Sequence, residues 1–182
     1  MTTRPVVLIP GIYNSGPLHW QSLWQTRHAG VLRVEQADWD HPVCDAWVRA
    51  LDDTVVALSQ PPILVAHSLG CLVAVHWAAR HQRPVHALLW VAVPDPEGPN
   101  FPADALGFAP LPPALPASPT LPRRVLVSST TDPYSTPGFS AQCASAWNAE
   151  HVVLGARGHL NAESGLGDWA EGWEQVVRWN GE

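Results

Sequence analysis

A serine at an abrupt change in hydrophobic period is the first residue whose surroundings suggest catalysis. Residues 63–66 form a short apolar run typical of a strand buried on both faces, and apolar residues recur at helical spacing after Ser68. Ala66 and Gly70 flank this serine at minus two and plus two, where a tight strand-to-helix turn leaves room only for small residues. The frame is that of a nucleophile elbow, with alanine where glycine is usual.

A serine hydroxyl is a poor nucleophile near neutral pH, so it needs a base to take its proton and an acid to orient that base. In a hydrolase sheet the chain order is serine, acid, histidine. Asp132 follows a predicted strand, and only His151 and His159 come after it. Because His151 precedes its strand and belongs at the opposite edge of the sheet, we predict that His159 is the base and Asp132 its orienting acid.

The tetrahedral oxyanion of such a reaction needs hydrogen-bond donors. Two backbone N–H groups are in place to supply them: that of Leu69, at the start of the elbow helix, and that of Ile12, in the loop after the first strand. Gly11 and Gly16 would allow this loop to approach closely.

Each motif also has a plain structural interpretation. A lone serine at such a junction is most often a helix cap, Asp132-Pro133 alone is an ordinary turn, and Gly158-His159 alone could place a histidine on the surface. Their joint occurrence, in order and each just past a buried strand, favours catalysis. Asp95, after the fourth strand, is the rival acid. His67 is more often structural or pocket-lining than a base, because neighbours on the elbow point away from each other.

No metal or cofactor is predicted. The cluster at 39–41 (Trp-Asp-His) has no second pair of ligands, and the three cysteines have no metal-binding spacing. From loop position alone, the candidate walls of a substrate pocket are Tyr13, Trp39, Phe101, Phe108 and Leu160.

Six apolar strands alternate with helices, near residues 5–10, 31–34, 63–66, 86–93, 125–129 and 151–154. Uniformly apolar strands in this alternation predict an α/β fold with a doubly wound parallel sheet, whose ligand crevice lies at the carboxyl ends of the strands. Ser15 is predicted to cap the first helix and Thr136 the fourth.

The length of 182 residues predicts a single domain over 1–182. Residues 94–122 contain ten prolines, which exclude a central strand or a long helix there. We interpret this segment as an ordered excursion or a flexible flap.

Composition narrows the class of protein. The chain is 46% hydrophobic and 14% charged, as in soluble globular proteins. Its net charge is −6 and its ten basic residues are arginines spread along the chain, so no nucleic-acid surface is expected. No apolar run approaches the ~20 residues of a membrane span, and residues 1–5 lead straight into a strand, so we predict a cytoplasmic protein. Oligomeric state is left open.

The sequence resembles the small α/β-hydrolases related to retinoblastoma-binding protein 9 and the bacterial YdeN-type esterases. The resemblance covers nearly the whole chain, and its most specific block is 158–161 (Gly-His-Leu-Asn) with 164–169 (Ser-Gly-Leu-Gly-Asp-Trp); it also includes Pro10-Gly11, Asp38-Trp39, Pro42, Trp47, Ala66-His67-Ser68-Leu69-Gly70 and Asp132-Pro133. It implies a six-stranded hydrolase core without a large cap domain and a triad of Ser68, Asp132 and His159.

The family name also raises a pocket-protein partner, which docks on Leu-x-Cys-x-Glu. The matching segment here has Leu69 and Cys71 but Val73 in place of glutamate, so that partner is not predicted.

The leading hypothesis is a serine hydrolase that cleaves a small ester, thioester or amide through an acyl-enzyme, with carboxylesterase chemistry as the expected class. A partner-binding protein on a hydrolase fold, docking through its proline-rich segment, is the alternative from another class. Acyl transfer or carbon–carbon bond hydrolysis would use the same triad.

Overall fold

The predicted alternation of strands and helices is confirmed by the computed structural model, which describes residues 4–115 and 123–181. Within these ranges six strands form one sheet in the order β2-β1-β3-β4-β5-β6, and every neighbouring pair is parallel. The strands are β1 (Val6–Ile9), β2 (Val31–Arg33), β3 (Ile63–His67), β4 (Ala87–Val91), β5 (Arg123–Ser128) and β6 (Glu150–Val153).

The described residues form five α-helices, which cover both faces of the sheet: α1 (Trp20–Arg27), α2 (Cys44–Val56), α3 (Leu69–Arg80), α4 (Pro137–Ala146) and α5 (Ala170–Asn180). Helices α2, α3 and α4 pack on one face, and α1 and α5 pack on the other. Strands β1, β3 and β4 are buried along their whole length, which explains their uninterrupted apolar sequences.

The direction in which the chain adds successive strands to the sheet reverses between β1 and β3. The chain leaves β1 toward α1 on one face and leaves β3 toward α3 on the other face. The two connections diverge, so a crevice opens between the carboxyl ends of these neighbouring strands. This crevice holds the candidate site described below.

Ser15 does not cap α1, contrary to prediction. A turn closed by the His19 N–H on the Gly16 carbonyl delays the helix, and the Nδ1 atom of His19 accepts the cap hydrogen bond from the Gln21 N–H. The Ser15 hydroxyl instead donates to Gln21 Oε1. The predicted Thr136 cap of α4 is confirmed.

Residues 94–115 of the proline-rich segment pack against helices α2 and α3. The Leu106 N–H donates to the Pro42 carbonyl, and the Leu106 carbonyl accepts from the Cys44 N–H. His76 of α3 lies 3.0 Å from the Phe108 carbonyl through its Nε2, and the Phe108 ring is buried against α2. The interpretation of 94–122 as an excursion or a flap stays a prediction, and its residues 116–122 lie outside the described residues.

Two neutral histidines are buried where β3 meets α1. His67 ends β3 and donates its Nε2–H to the His159 carbonyl at 2.9 Å. The rings of His19 and His67 meet edge to face, with 4.6 Å between their centroids. Burial, followed by the charge of Arg33, lowers the pKa of His19 to about 4. Burial also lowers the pKa of His67 well below its usual value.

Gly70 is expected to be irreplaceable in α3. A Cβ there would lie 2.1 Å from the Ile9 carbonyl oxygen and 2.6 Å from that of Pro10. We therefore expect Gly70→Ala to lower the free energy of unfolding by about 1–3 kcal/mol, because backbone must move to make room. Urea titration measures this.

The matched control is Gly138→Ala, which changes the same position of helix α4. The nearest atom to its added Cβ would be Thr136 Oγ1 at 3.9 Å. This variant should gain about 0.5–1 kcal/mol, because alanine loses less chain entropy than glycine in a helix. Equal stability of the two variants would contradict the close approach of α3 to β1.

The buried histidines should make stability fall in mild acid. Both stay neutral in the folded state while the unfolded chain takes up protons below about pH 6.5, so the free energy of unfolding decreases as the pH falls. For His19 the loss continues until about pH 4, and it amounts to about 2 kcal/mol between pH 7 and pH 5. Urea titrations across this pH range measure the slope.

His19→Asn isolates this contribution, because asparagine can still cap α1 but does not titrate. The slope should become distinctly shallower. An unchanged slope in His19→Asn would contradict a neutral buried His19.

Candidate active site

Ser68 occupies the strained turn between β3 and α3. Its backbone angles are φ 54° and ψ −129°, a region that residues with a Cβ rarely occupy and that costs on the order of 1–3 kcal/mol. Its N–H donates to the Val91 carbonyl on the neighbouring strand, and its carbonyl accepts from the Cys71 N–H. These bonds, and the close approach at Gly70, hold a sharp turn that presents the hydroxyl at the carboxyl edge of the sheet.

His159 connects the serine to a carboxylate. Its Nε2 lies 2.8 Å from Ser68 Oγ, and its Nδ1 lies 2.9 and 3.0 Å from the two oxygens of Asp132. The side chains of His159 and Asp132 are only 11% and 2% exposed. The structure thus brings together the three residues that the sequence analysis singled out from separate loops.

The Asp132 carboxylate is further held by its own turn. Its Oδ1 accepts the Tyr134 N–H, and the Tyr134 ring meets the His159 ring edge-on at 4.6 Å between centroids. The carboxylate of Asp95, the rival acid, accepts the N–H of Glu97, while the Asp95 N–H donates to the Tyr134 carbonyl. Asp95 therefore supports the acid loop through its backbone and forms no hydrogen bond with His159 in the described parts of the chain.

The loop that carries His159 is fixed by bonds to the end of β5. The Arg157 N–H donates to Ser129 Oγ, and the Gly158 N–H donates to Thr131 Oγ1. Gly158 has a φ of 58°, which favours glycine and lets the chain turn sharply just before the histidine.

The predicted oxyanion donors lie beside the serine. Leu69 is the first residue of α3, so its N–H has no acceptor within the helix. A Cβ on Gly11 would lie 3.2 Å from Ser68 Oγ and 3.3 Å from the Leu69 nitrogen, so the loop after β1 passes directly against the elbow. Ile12 follows in that loop, and both Ile12 and Leu69 line the cavity beside the serine.

This cavity has a volume of about 500 Å³ and opens beside Ser68 and His159. Of the predicted walls, Tyr13 and Phe101 line it, together with Pro94 and Pro102 of the proline-rich segment.

Trp39, Phe108 and Leu160 are not among its lining residues, which corrects their prediction as walls. Trp39 packs on Trp47, and Phe108 and Leu160 are buried in the two cores. Loop position in the sequence does not reveal which way a side chain turns, and Leu160 has a left-handed φ of 50°.

Several polar residues that line the cavity were not predicted from the sequence: His19, Asn100, Asn161 and Glu163. Asn161 and Glu163 lie in and beside the block that carries the family resemblance, where polar residues after a strand were a usable signal. His19 carried no such signal, because it lies just before the apolar repeat of helix α1 begins at Trp20.

The thiols of Cys44 and Cys143 are not candidate nucleophiles. Burial raises the pKa of the Cys44 thiol to about 11 and that of Cys143 to about 12, which removes them as thiolate nucleophiles. Within residues 4–115 and 123–181 no group of three or more histidine, cysteine or acidic side chains is arranged to hold a metal ion. None of the helices in these ranges is long and apolar enough to cross a membrane.

Comparison with solved structures supports the fold and the family. A putative YdeN-like hydrolase from Pectobacterium atrosepticum is 30% identical, with a TM-score of 0.82 over 98% of this chain and 91% of that one. The ydeN gene product of B. subtilis is 18% identical, with a TM-score of 0.80 over 99% of this chain and all of that one. A pyrethroid hydrolase, at 16% identity and a TM-score of 0.69 over the full length of both chains, shares the fold.

No curated protein matches this sequence. The family model described as serine hydrolase matches residues 6–178, nearly the whole chain. Together with the YdeN-like relative, this match shows that the chain is a hydrolase with an α/β-hydrolase fold and that it belongs to the serine hydrolase family.

Proposed function

We propose that the protein hydrolyses a small ester, thioester or amide through an acyl-enzyme on Ser68. The observation that carries the proposal is the continuous chain of hydrogen bonds from Ser68 Oγ through His159 to the buried Asp132 carboxylate, beside an open cavity. This is the arrangement that a serine nucleophile requires near neutral pH.

In the first half-reaction Ser68 Oγ attacks the substrate carbonyl carbon while His159 Nε2 takes the hydroxyl proton. The carbonyl oxygen becomes an oxyanion that accepts hydrogen bonds from the Leu69 and Ile12 N–H groups. His159 then gives the proton to the leaving oxygen, sulfur or nitrogen as its bond to carbon breaks. Water repeats the sequence on the acyl-enzyme, releases the acid and restores the serine.

The cavity favours small acyl groups. Its volume of about 500 Å³ lies in the lower half of the range for small-molecule sites, and Pro94 and residues 100–102 contribute to its lining. The ordered packing of residues 94–115 on α2 and α3 supports a fixed wall rather than a mobile lid. Carboxylesterase chemistry is therefore the expected class, and a cytoplasmic location stays a prediction from the sequence.

Ser68→Ala should fold like the parent and lose ester hydrolysis by roughly 10⁴-fold or more, because no nucleophile remains. It should also lose covalent labelling by a fluorophosphonate probe, read by intact-protein mass. Ser145→Ala, which changes an exposed serine on α4, should retain both. Labelling that persists in Ser68→Ala would overturn the assignment, and failure of the unaltered protein to react at all would favour the partner-binding alternative.

Asp132→Asn should lower kcat by about 10⁴-fold, because an amide cannot hold the tautomer and orientation of His159 that the reaction needs. Asp95→Asn is the matched control and should stay within a few-fold of the parent. Steady-state hydrolysis of one short acyl ester compares them. The opposite ranking would move the acid to the loop after β4.

A further inference from the structure

The loop that carries Ile12 adopts a conformation that its residues do not favour. Tyr13 and Asn14 follow Ile12 with φ values of 65° and 62°. Left-handed backbone is uncommon for residues other than glycine, and two in succession need support from outside the loop. One anchor is the Tyr13 N–H, which donates to the Trp39 carbonyl at 3.0 Å.

The other anchor is Arg33, at the carboxyl end of β2. Its Nη1 donates to Asn14 Oδ1 at 2.6 Å and to the Ser15 carbonyl at 3.2 Å. Its Nη2 donates to Ser22 Oγ at 2.7 Å, and its Nε donates to Gln25 Oε1 at 2.9 Å. All three guanidinium nitrogens are therefore used to join the loop to helix α1.

A buried glutamine ties the same loop to the sheet. Ser15 Oγ donates to Gln21 Oε1 at 2.6 Å, and Gln21 Nε2 donates to the Val65 carbonyl at 3.2 Å. Gln21 is fully buried. The far end of the loop is thus fixed relative to β3, the strand that leads into Ser68.

The four hydrogen-bond acceptors of Arg33 are all neutral, and the nearby Glu35 carboxylate, which is not hydrogen-bonded to it in the described residues, offsets only part of its charge. The field of this half-buried cation extends into the cavity, where it contributes to the lowered pKa of His19. A positive charge there also favours an oxyanion over a neutral carbonyl oxygen.

We propose that Arg33 is a positioning residue that holds the loop of Ile12 in the conformation needed for the oxyanion hole and adds a favourable field. The inference rests on the proposed function, because it concerns the oxyanion formed when Ser68 adds to a carbonyl. Since this charge exists only in the transition state and the tetrahedral intermediate, the contribution of Arg33 belongs to kcat rather than to KM.

The decisive variant is Arg33→Gln, measured by steady-state hydrolysis of a short acyl ester. We expect kcat to fall about 10- to 100-fold with KM within about threefold of the parent, comparable to weakening one oxyanion donor. Arg27→Gln is the matched control, since Arg27 lies on the same side of the sheet but pairs with Asp168, and it should keep the parent kcat. A kcat of Arg33→Gln within twofold of the parent, or a change confined to KM, would overturn the inference.

Asn14→Ala keeps the cation and removes the loop acceptor, which Arg33 shares with the Ser15 N–H. It should lower kcat with KM retained, and the double variant with Arg33→Gln should lose less than the product of the two single losses, because both act on one loop. If Arg33→Gln does not fold, Asn14→Ala decides alone: an unchanged kcat overturns the inference. Ser68→Ala, assayed in parallel, distinguishes failure of the Arg33 inference from failure of the proposed function. Retained hydrolysis in that variant would refute the proposed function itself.

Discussion

The close approach of helix α3 to the end of strand β1 is the constraint on which the site depends. The position of Gly70 against the Ile9 and Pro10 carbonyls leaves no space for a side chain, and Gly11 in turn leaves none between the β1 loop and Ser68. These two glycines let a strand end, a helix start and a loop meet at one point. Any larger residue would separate the hydroxyl from the N–H groups of the loop, whatever happened to the rest of the fold.

Hydrogen bonds between neighbours of the candidate residues join segments that are far apart in the sequence. His67, beside Ser68, donates to the His159 carbonyl, and the Asp95 N–H donates to the carbonyl of Tyr134 in the turn of Asp132. The histidine that makes the first bond must stay neutral to be buried, so the stability of this arrangement is linked to pH. Because its pKa is lowered well below the usual value, His67 can precede the serine without serving as its base.

Local periodicity and chain order were sufficient to predict the six strands, the elbow and the three residues that meet around His159. Parallel strands buried on both faces have a sequence signature, and carboxyl-end loops of one sheet must share an edge. Side-chain direction within loops has no such signature. Trp39, Phe108 and Leu160 were therefore predicted as walls although they pack in the core, and Ser15 was predicted as a cap although His19 takes that role. The family resemblance identified the block around His159 but gave no reason to notice Arg33, whose partners come from a loop and a helix earlier in the chain.

The two sides of the serine are supported in different ways, and this has a consequence for how the site tolerates change. The His159 side is fixed by backbone N–H groups that donate to two separate hydroxyls, Ser129 Oγ and Thr131 Oγ1, so a single substitution leaves one of the two bonds in place. The Ile12 side holds two left-handed residues and is fixed by side chains, Arg33 and Gln21, that each make several bonds. A single substitution can remove several of those bonds together. The loop of Ile12 is thus the part of the candidate site most sensitive to residues outside it, although Arg33 and Gln21 do not line the cavity.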